Sequence, residues 1–508
     1  MSELESKVIK NSIYGLLLQI VMIPLHFLLR KVLLEYIGVE LIGISGTVTS
    51  LVGILGLAEG GFGSAISYCL YKPVVDGDYV RINQLMSVFK KIYTAIGCLV
   101  IAVGLVLSFF IKYIFNGVEI SALIYIIFYL ECFNSAISYF LCYRRTLMSV
   151  NMHSYISNRV DICCNVFFTA IGVACVYFTH NYVLYLAVCI CRTLTANIII
   201  HIKSNRMYSY LQPMKAEKSV FGEVVNHSKK LFWGTIAAYI YNSTDNILIS
   251  SFSNTINVGY LSNYTMITNY LKVLTGAVLS GVTPAIGQLQ SKSDVDSKKN
   301  IFWRYAGICE VAAMMICVPT YILLDEFIGK IYGMAYQMDK MISVLLVTIV
   351  YIYIAPFPYG VFITTAGKFD VLKKVEMLGA IGNLMLSLIL VQYMGVNGVL
   401  LGTILSTGVQ WWVRAYYVYK DILKLGVKHL FKKMFQECVC ALLVVLDIIL
   451  MKQIVSYIIF SAFIVRFIVV GLLAELVVLI TYSALYHYDD KIKVKIILGF
   501  LRKAVWRK

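Results

Sequence analysis

The sequence runs to 508 residues, of which 60% are hydrophobic and only 14% charged, with a mean hydropathy of +0.79. That balance excludes the soluble globular classes and fits a chain that crosses a bilayer many times. A formal net charge of +17 would point to nucleic acid in a soluble protein; here its placement along the chain decides what it means.

In chain order, the first apolar segment follows MSELESKVIKNS directly and carries no cleavage-like site, so it is expected to remain as a span. A crossing takes about 20 apolar residues. By that measure the chain contains about 14 spans, at 10–31, 39–63, 85–111, 118–142, 158–179, 182–203, 229–252, 256–287, 301–325, 340–365, 375–394, 397–419, 434–455 and 457–486. With the N-terminus in the cytoplasm, most Lys and Arg fall in the inner connections, among them Lys72, Arg81, Arg144, Arg145, Lys215, Lys218, Lys298, Lys299, Lys373, Lys374, Lys432 and Lys433. The net charge is therefore a topology signal, and nucleic acid is not an expected partner. The longest connection, 204–228, leaves no room for a soluble catalytic domain. The tail KIKVKIILGFLRKAVWRK reads as an interfacial basic helix or a stop-transfer end. The 13 cysteines form no CxxC pair and no metal-ligand spacing, so they read as small apolar side chains, and no metal or cofactor is expected.

The chain also resembles itself. KNSIYG (10–15) aligns with KKLFWG (229–234), and at the same offset IGVELIGISGTVTSLVGIL (37–55) aligns with INVGYLSNYTMITNYLKVL (256–274). His26 then falls on Asp245. Six spans return the chain to the side where it started, so the halves run parallel. The expected architecture is an all-α polytopic membrane protein with two parallel six-helix lobes and two further helices. The divisions are 1–203 for the N-lobe, 204–228 for a cytoplasmic linker, 229–421 for the C-lobe, 422–486 for helices thirteen and fourteen, and 487–508 for the basic tail.

Ionisable side chains within spans mark functional sites by default. In the first half these are His26, Arg30, Glu59, Glu131 and Arg192; in the second, Asp245, Lys272, Glu310 and Arg414. Tyr241, Asn242, Asp245 and Asn246 share one face of span seven, and Tyr264, Thr268 and Lys272 one face of span eight. A lipid-facing placement would strand these polar groups at several kcal/mol each, so they are expected to line a hydrated cavity. Arg30, His26, Arg192, Lys272, Thr268, Tyr264, Tyr241 and Asn242 are assigned to binding. Glu59, Asp245 and Asn246 are assigned to gating or coupling, with Na+ or H+ as possible coupling ions. Asp447 and Arg466, outside the repeat, are expected to pair with each other. In LAEGGFG (57–63), Glu59 sits among glycines that let the helix bend. Pro24, Pro319 and the PFP at 356–358 suggest kinks, and Gly281 with Pro284 a hinge.

YIGVELIG (36–43), LAEGGFGSAI (57–66), LYKPVVDGDYVRINQLM (70–86), STDNILISSFSNTINVGYLSNY (243–264) and TPAIGQL (283–289) resemble bacterial Wzx-type polysaccharide repeat-unit flippases of the multidrug/oligosaccharidyl-lipid/polysaccharide (MOP) exporter superfamily. The resemblance implies a V-shaped, MATE-like, non-enzymatic transporter working by alternating access. It would carry undecaprenyl-diphosphate-linked oligosaccharide across the bacterial cytoplasmic membrane for capsule or exopolysaccharide synthesis. Its implied partners are the lipid-linked oligosaccharide, membrane lipids, and polysaccharide polymerase or other assembly proteins. The related lipid II flippases share an AEG motif, matched by Ala58, Glu59 and Gly60, and an arginine close to Arg30. Their second cavity arginine has no counterpart here, where Ile54 stands in its vicinity. The alternatives are a cation-coupled drug antiporter of the same superfamily and, from another class, a membrane polysaccharide polymerase or ligase, which needs a long outer loop this chain lacks.

Overall fold

The computed structural model describes residues 3–215, 217–292, 294–456 and 463–486; the expected basic tail helix lies outside the described residues. The chain is helical, in agreement with the all-α expectation. Its helices are α1 (Glu3–Tyr36), α2 (Val39–Leu55), α3 (Phe62–Asp76), α4 (Tyr79–Ser108), α5 (Ile111–Ile114), α6 (Ala122–Val150), α7 (Ser154–Thr179), α8 (Tyr182–Met207) and α9 (Lys218–Phe252). They continue with α10 (Thr255–Ser280), α11 (Thr283–Lys292), α12 (Val295–Ile331), α13 (Lys340–Ile354), α14 (Phe357–Thr365), α15 (Phe369–Tyr417), α16 (Val427–Ser456) and α17 (Phe463–Tyr486).

Among the described residues, 11 helices are long and apolar enough to cross a membrane. Two features account for the gap from the 14 spans read from sequence. Spans seven and eight are present as α9 and α10 at full crossing length, but their Asn, Thr, Ser and Tyr content keeps them out of the apolar set. Spans eleven and twelve form one stretch, α15, folded at Gly395 (φ 54°, ψ −129°), a backbone conformation open to glycine. Its two arms lie side by side: Asn383 Nδ2 donates to Thr403 Oγ1 at 2.9 Å, and Ser387 Oγ donates to the Val399 carbonyl at 3.3 Å. A Cβ on Gly398 would come within 2.2 Å of the Leu390 carbonyl, and one on Gly402 within 2.5 Å of Ser387 Oγ. This GVLLG stretch is a small-xxx-small seam that lets two backbones touch. The stretch is thus a helical hairpin of two crossings.

Two compact units are present, Met1–Tyr260 and Leu261–Lys508. In the first, α1 packs on α7, α6 lies between α4 and α8, and α9 packs on α2 and α3. The α9–α10 turn is stitched to the α5–α6 connection. Asn116 N–H donates to the Ser250 carbonyl at 3.2 Å, Thr255 N–H donates to the Asn116 carbonyl at 2.9 Å, and Ser250 Oγ donates to the Ile114 carbonyl at 3.0 Å. Span seven therefore packs with the spans that precede it.

In the second unit α12 packs on α13, α16 and α17, and α13 on α15. Its core centres on edge-on contacts of Phe302 with Tyr359 and Phe362, at ring-centroid distances of 5.2 and 5.1 Å. Two expectations are corrected here. Arg466 does not pair with Asp447: its Nε lies 3.3 Å from Glu326 Oε1, and Asp447 instead accepts from Thr481 Oγ1 at 3.0 Å. Lys433, read from sequence as a cation of an inner connection, is buried and paired with Glu310, with Glu437 Oε1 3.8 Å away. Of the proline sites, Pro24 and Pro319 lie inside unbroken helices, while the PFP separates α13 from α14. Span eight breaks between Ser280 and Thr283, at the glycine expected to form a hinge.

Candidate functional site

In the first unit His26, Glu131 and Arg192 lie at similar depth. Chain order places the ends of its antiparallel helices at Tyr36, Ala122 and Tyr182 on the same side. His26 and Arg192 lie ten residues in from that side and Glu131 nine, or roughly 15 Å at the helical rise. Arg192 on α8 is within electrostatic reach of both His26 on α1 and Glu131 on α6. Asn134 donates to the Glu131 carboxylate, and Tyr182 shares a hydrogen bond with Ser45 while feeling Glu131 and Arg30. Arg30 Nη2 donates to the Gly259 carbonyl at 3.2 Å. That contact sits where α2 meets the first residues of α10. A Cβ on Gly43 or on Gly259 would fall 2.3 Å from the other segment's carbonyl oxygen, at Thr255 or Val39 respectively.

The result is a mid-depth polar group of His26, Glu131 and Arg192, with Arg30 one turn nearer the helix end on the same face of α1 as His26. Glu131 is recognisable in the sequence as an intramembrane charge, but no role is assigned to it there. The match in depth comes from the helix ends at Tyr36, Ala122 and Tyr182, the first two of which differ from the span bounds read from sequence. A guanidinium, an imidazole and a carboxylate at one depth can hold an anion while the carboxylate keeps the site from being permanently overcharged.

Glu59 occupies a different place. The glycines of LAEGGFG do more than bend the helix: they close span two, ending α2 in a tight turn over Gly56–Glu59 before α3 begins at Phe62, with Gly60 at φ 52° and Gly61 at φ 78°. Tyr93 on α4 donates to Glu59 Oε1. The Tyr139 ring lies 5.7 Å from that of Tyr93, and Tyr139 is hydrogen-bonded to Tyr239 on α9. Gly56 lets the Tyr239 ring approach, since a Cβ there would sit 2.7 Å from it. Ser228 Oγ on α9 donates to the Gly60 carbonyl at 2.8 Å. The helix break is thus clamped by tyrosines from three neighbouring helices. Glu59→Ala is expected to strip the Tyr93 hydroxyl of its acceptor and cost about 1–3 kcal/mol. Glu59→Gln keeps an acceptor and removes only charge, so near-normal thermal stability in detergent with export lowered several-fold is the expected signature of a gating carboxylate. Full export in Glu59→Gln would leave the residue a packing role alone.

Asn246 Nδ2 on α9 donates to Ser50 Oγ on α2 at 2.9 Å, and a Cβ on Gly53 would meet Ser243 Oγ at 2.9 Å. Asp245 and Tyr241 lie half-buried on the same helix, and the Asn242 side chain is outside the described residues. In the second unit Tyr264 is wholly buried: its hydroxyl donates to Asp325 Oδ1 at 3.2 Å and accepts from the Met338 N–H at 3.0 Å. Thr268 is also buried and donates to the Thr265 carbonyl at 3.3 Å, while Lys272 is half-buried. Tyr264 therefore helps to pack the second unit. Cys69, Glu223 and His227 bring ligand atoms within 4.8 Å of one another. Glu223, however, is paired with Arg81, and that cation opposes a metal ion at the same carboxylate.

This arrangement of helices is the fold of the MOP-superfamily transporters. The chain superposes on the lipid II flippase MurJ in an inward closed conformation with a TM-score of 0.68, over 94% of this chain and 99% of that one, at 15% identity. It superposes on an inward-facing multidrug resistance MATE family transporter of the MOP superfamily with a TM-score of 0.62, over 81% and 96%, at 12% identity. Residues 8–290 match the family model described as polysaccharide biosynthesis protein, and the chain belongs to that family. A further relative is the "Probable low-salt glycan biosynthesis flippase Agl15" of Haloferax volcanii, 20% identical over 197 residues; the match spans 38% of this chain and 41% of that protein's length.

Proposed function

We propose that this multi-pass membrane protein is a flippase, and not an enzyme, that moves undecaprenyl-diphosphate-linked oligosaccharide repeat units across the bacterial cytoplasmic membrane by alternating access, for capsule or exopolysaccharide synthesis. The observation that carries the reading is the mid-depth cluster of His26, Arg30, Glu131 and Arg192 within a bundle of spanning helices. A diphosphate cannot cross hydrocarbon unaided, and a guanidinium halfway through the bilayer, with a second one turn nearer the surface, is suited to meet it. Membership of a polysaccharide biosynthesis family and the likeness to a glycan biosynthesis flippase support a lipid-linked sugar as cargo.

In this reading the bodies that rock are the repeat halves, 1–203 and 229–421, with both termini in the cytoplasm. Arg30, His26, Arg192, Lys272, Thr268, Tyr241 and Asn242 contact cargo or its water. Glu59, Asp245 and Asn246 tune the conformational equilibrium, and a polymerase or other assembly protein takes the delivered unit.

Lipid II is the second reading, favoured by Arg30 and by Ala58–Glu59–Gly60 and opposed by Ile54. Reconstitution of the full chain into vesicles holding fluorescent undecaprenyl-diphosphate oligosaccharide tests both. Time-dependent exposure of the sugar to an external lectin, at least several-fold above empty vesicles and slowed in Arg30→Ala and Lys272→Ala, is the expected result. Movement of lipid II alone would transfer the assignment to that cargo, and movement of neither would sink the transport reading.

A further inference from the structure

A second basic site lies well away from the mid-depth cluster, at the end of the first unit where α1 begins. A cavity of about 750 Å³ is bounded by α4, the end of α6 and the connection after α8. Its lining includes Lys90, Lys91, Arg144 and Lys215, with Asn83 and Ser87 beside them, and none of the described lining residues is acidic.

The wall of this cavity is a built structure. The connection 208–215 makes a tight turn at Tyr208–Leu211 and then runs as irregular chain, strapped to α4 by side chains. Asn83 Nδ2 donates to the Tyr210 carbonyl at 2.9 Å, and Asn83 Oδ1 accepts from the Gln212 N–H at 3.1 Å. Ser87 Oγ accepts from the Met214 N–H at 3.1 Å, and the Tyr79 and Tyr210 rings stack at 4.3 Å. A strap with its backbone tied down at both edges holds Lys215 over the cavity.

The two neighbouring arginines of α6 behave differently. Arg145 is fully engaged: Nη1 and Nη2 donate to Asp161 at 2.7 and 2.8 Å, and Nε donates to Asn197 Oδ1 at 3.0 Å. Arg144 lies against the Tyr143 ring at 5.2 Å, and its Nε and Nη1 are buried with no hydrogen-bond partner. Buried donors of a guanidinium are costly to leave unmet. An anion in the cavity would answer them, and the lysines around it would meet the remaining charge.

The depth of the cluster narrows the ligand. Lys90 and Lys91 directly precede the apolar run 92–108, and Arg144 directly follows the run 122–143. Both runs are close to the length of a crossing, so the cations stand where hydrocarbon gives way to headgroups, on the side that the Lys and Arg distribution assigns to the cytoplasm. We infer that this cavity is a binding site for the phosphate-ester headgroup of an inner-leaflet lipid, held by Arg144, Lys90, Lys91 and Lys215. Basic pockets between spans are suited to such headgroups. The inference does not depend on transport, because binding alone reports it.

The test uses the full chain in dodecyl maltoside, titrated by calorimetry with farnesyl diphosphate, with dioleoylphosphatidylglycerol, and with farnesol and dioleoylphosphatidylcholine as uncharged and zwitterionic controls. Saturable binding of at least one phosphate ligand is expected, with tenfold or more weakening in Lys90→Gln/Lys91→Gln/Arg144→Gln. Several-fold weakening is expected in Lys91→Gln/Lys215→Gln, whose exposed side chains can be changed without disturbing the fold; if the triple variant fails to fold, this variant decides. Binding of the diphosphate alone would assign the site to a polyprenyl carrier, whereas binding of the glycerophospholipid would assign it to a bilayer headgroup. Either outcome upholds the site. Undiminished affinity in the folded variants, or no binding of either phosphate ligand to the unaltered protein, overturns it.

Discussion

Arg192→Ala is expected to lower the proposed glycan export by about tenfold to a hundredfold, the range set by losing a charge-assisted contact of about 1.5–3 kcal/mol. The cause is electrostatic and lies inside the first unit. Arg192 is the cation that faces both His26 and Glu131, and a carboxylate at mid-depth without it is an uncompensated charge. A loss of export in the single variant therefore mixes two effects, damage to the bundle and damage to the site. The double variant Arg192→Gln/Glu131→Gln separates them, since it removes both charges and leaves neutral hydrogen-bonding amides in their place. Its melting temperature in detergent should return toward that of the unaltered protein, while export stays low because the Arg192 guanidinium is no longer there to meet a diphosphate. Surface glycan measured against membrane abundance reads the outcome. If the double variant restores both stability and export, Arg192 serves only as a counter-ion and the cargo-binding assignment falls.

Lys433→Ala carries the largest expected effect on stability. Lys433 on α16 stands between two carboxylates, Glu310 on α12 and Glu437 on its own helix, and its ammonium lies 5.6 Å from the centre of the Trp303 ring. All three ionisable side chains are buried. Tyr359 donates to Glu437 Oε1 at 2.6 Å, fixing one arm of the triad. Removing the single cation leaves two buried carboxylates facing each other, and breaking such a group costs about 3–5 kcal/mol. The expected observation is a fall in melting temperature and in detergent-soluble yield, larger than for any single substitution of an exposed lysine. Lys433→Ala combined with Glu310→Leu and Glu437→Leu should recover most of that loss, because apolar packing replaces the unpaired charges. A melting temperature unchanged in Lys433→Ala would mean that the triad does not hold α12 to α16.

These two sites also show what can be read from the residues alone. Crossing helices are legible because apolar length fixes them, and the turn between spans eleven and twelve is legible because Gly395 and Gly398 bracket it. The Arg192 neighbourhood is half legible: the residue type and its place within a span are visible, its common depth and pairing with Glu131 are not. Lys433 misleads. In sequence it sits next to Lys432 at the edge of a span, where the rule for connection charges places it in water. Only tertiary packing shows that helical phase turns Lys433 inward, against Glu310 from a helix more than a hundred residues earlier. Arg466 misleads for a related reason. Depth along a helix can be counted, but azimuth depends on which neighbour lies alongside, and here Glu326 does. The prolines are ambiguous because single ones at Pro24 and Pro319 are carried inside continuous helices, whereas the doubled proline at 356–358 interrupts one.

The polarity of α9 reaches back to how the chain is made. A helix rich in Asn, Ser, Thr and Tyr gains little by moving from a translocation channel into lipid alone. Its favourable surroundings are protein: Ser50 for Asn246, and the loop around Ile114 and Asn116 for its far end. Those partners are synthesised earlier, so the ribosome delivers α9 to a half-built bundle that already offers it a polar berth. Along the chain, this polar crossing thus follows the helices that supply its hydrogen-bond partners.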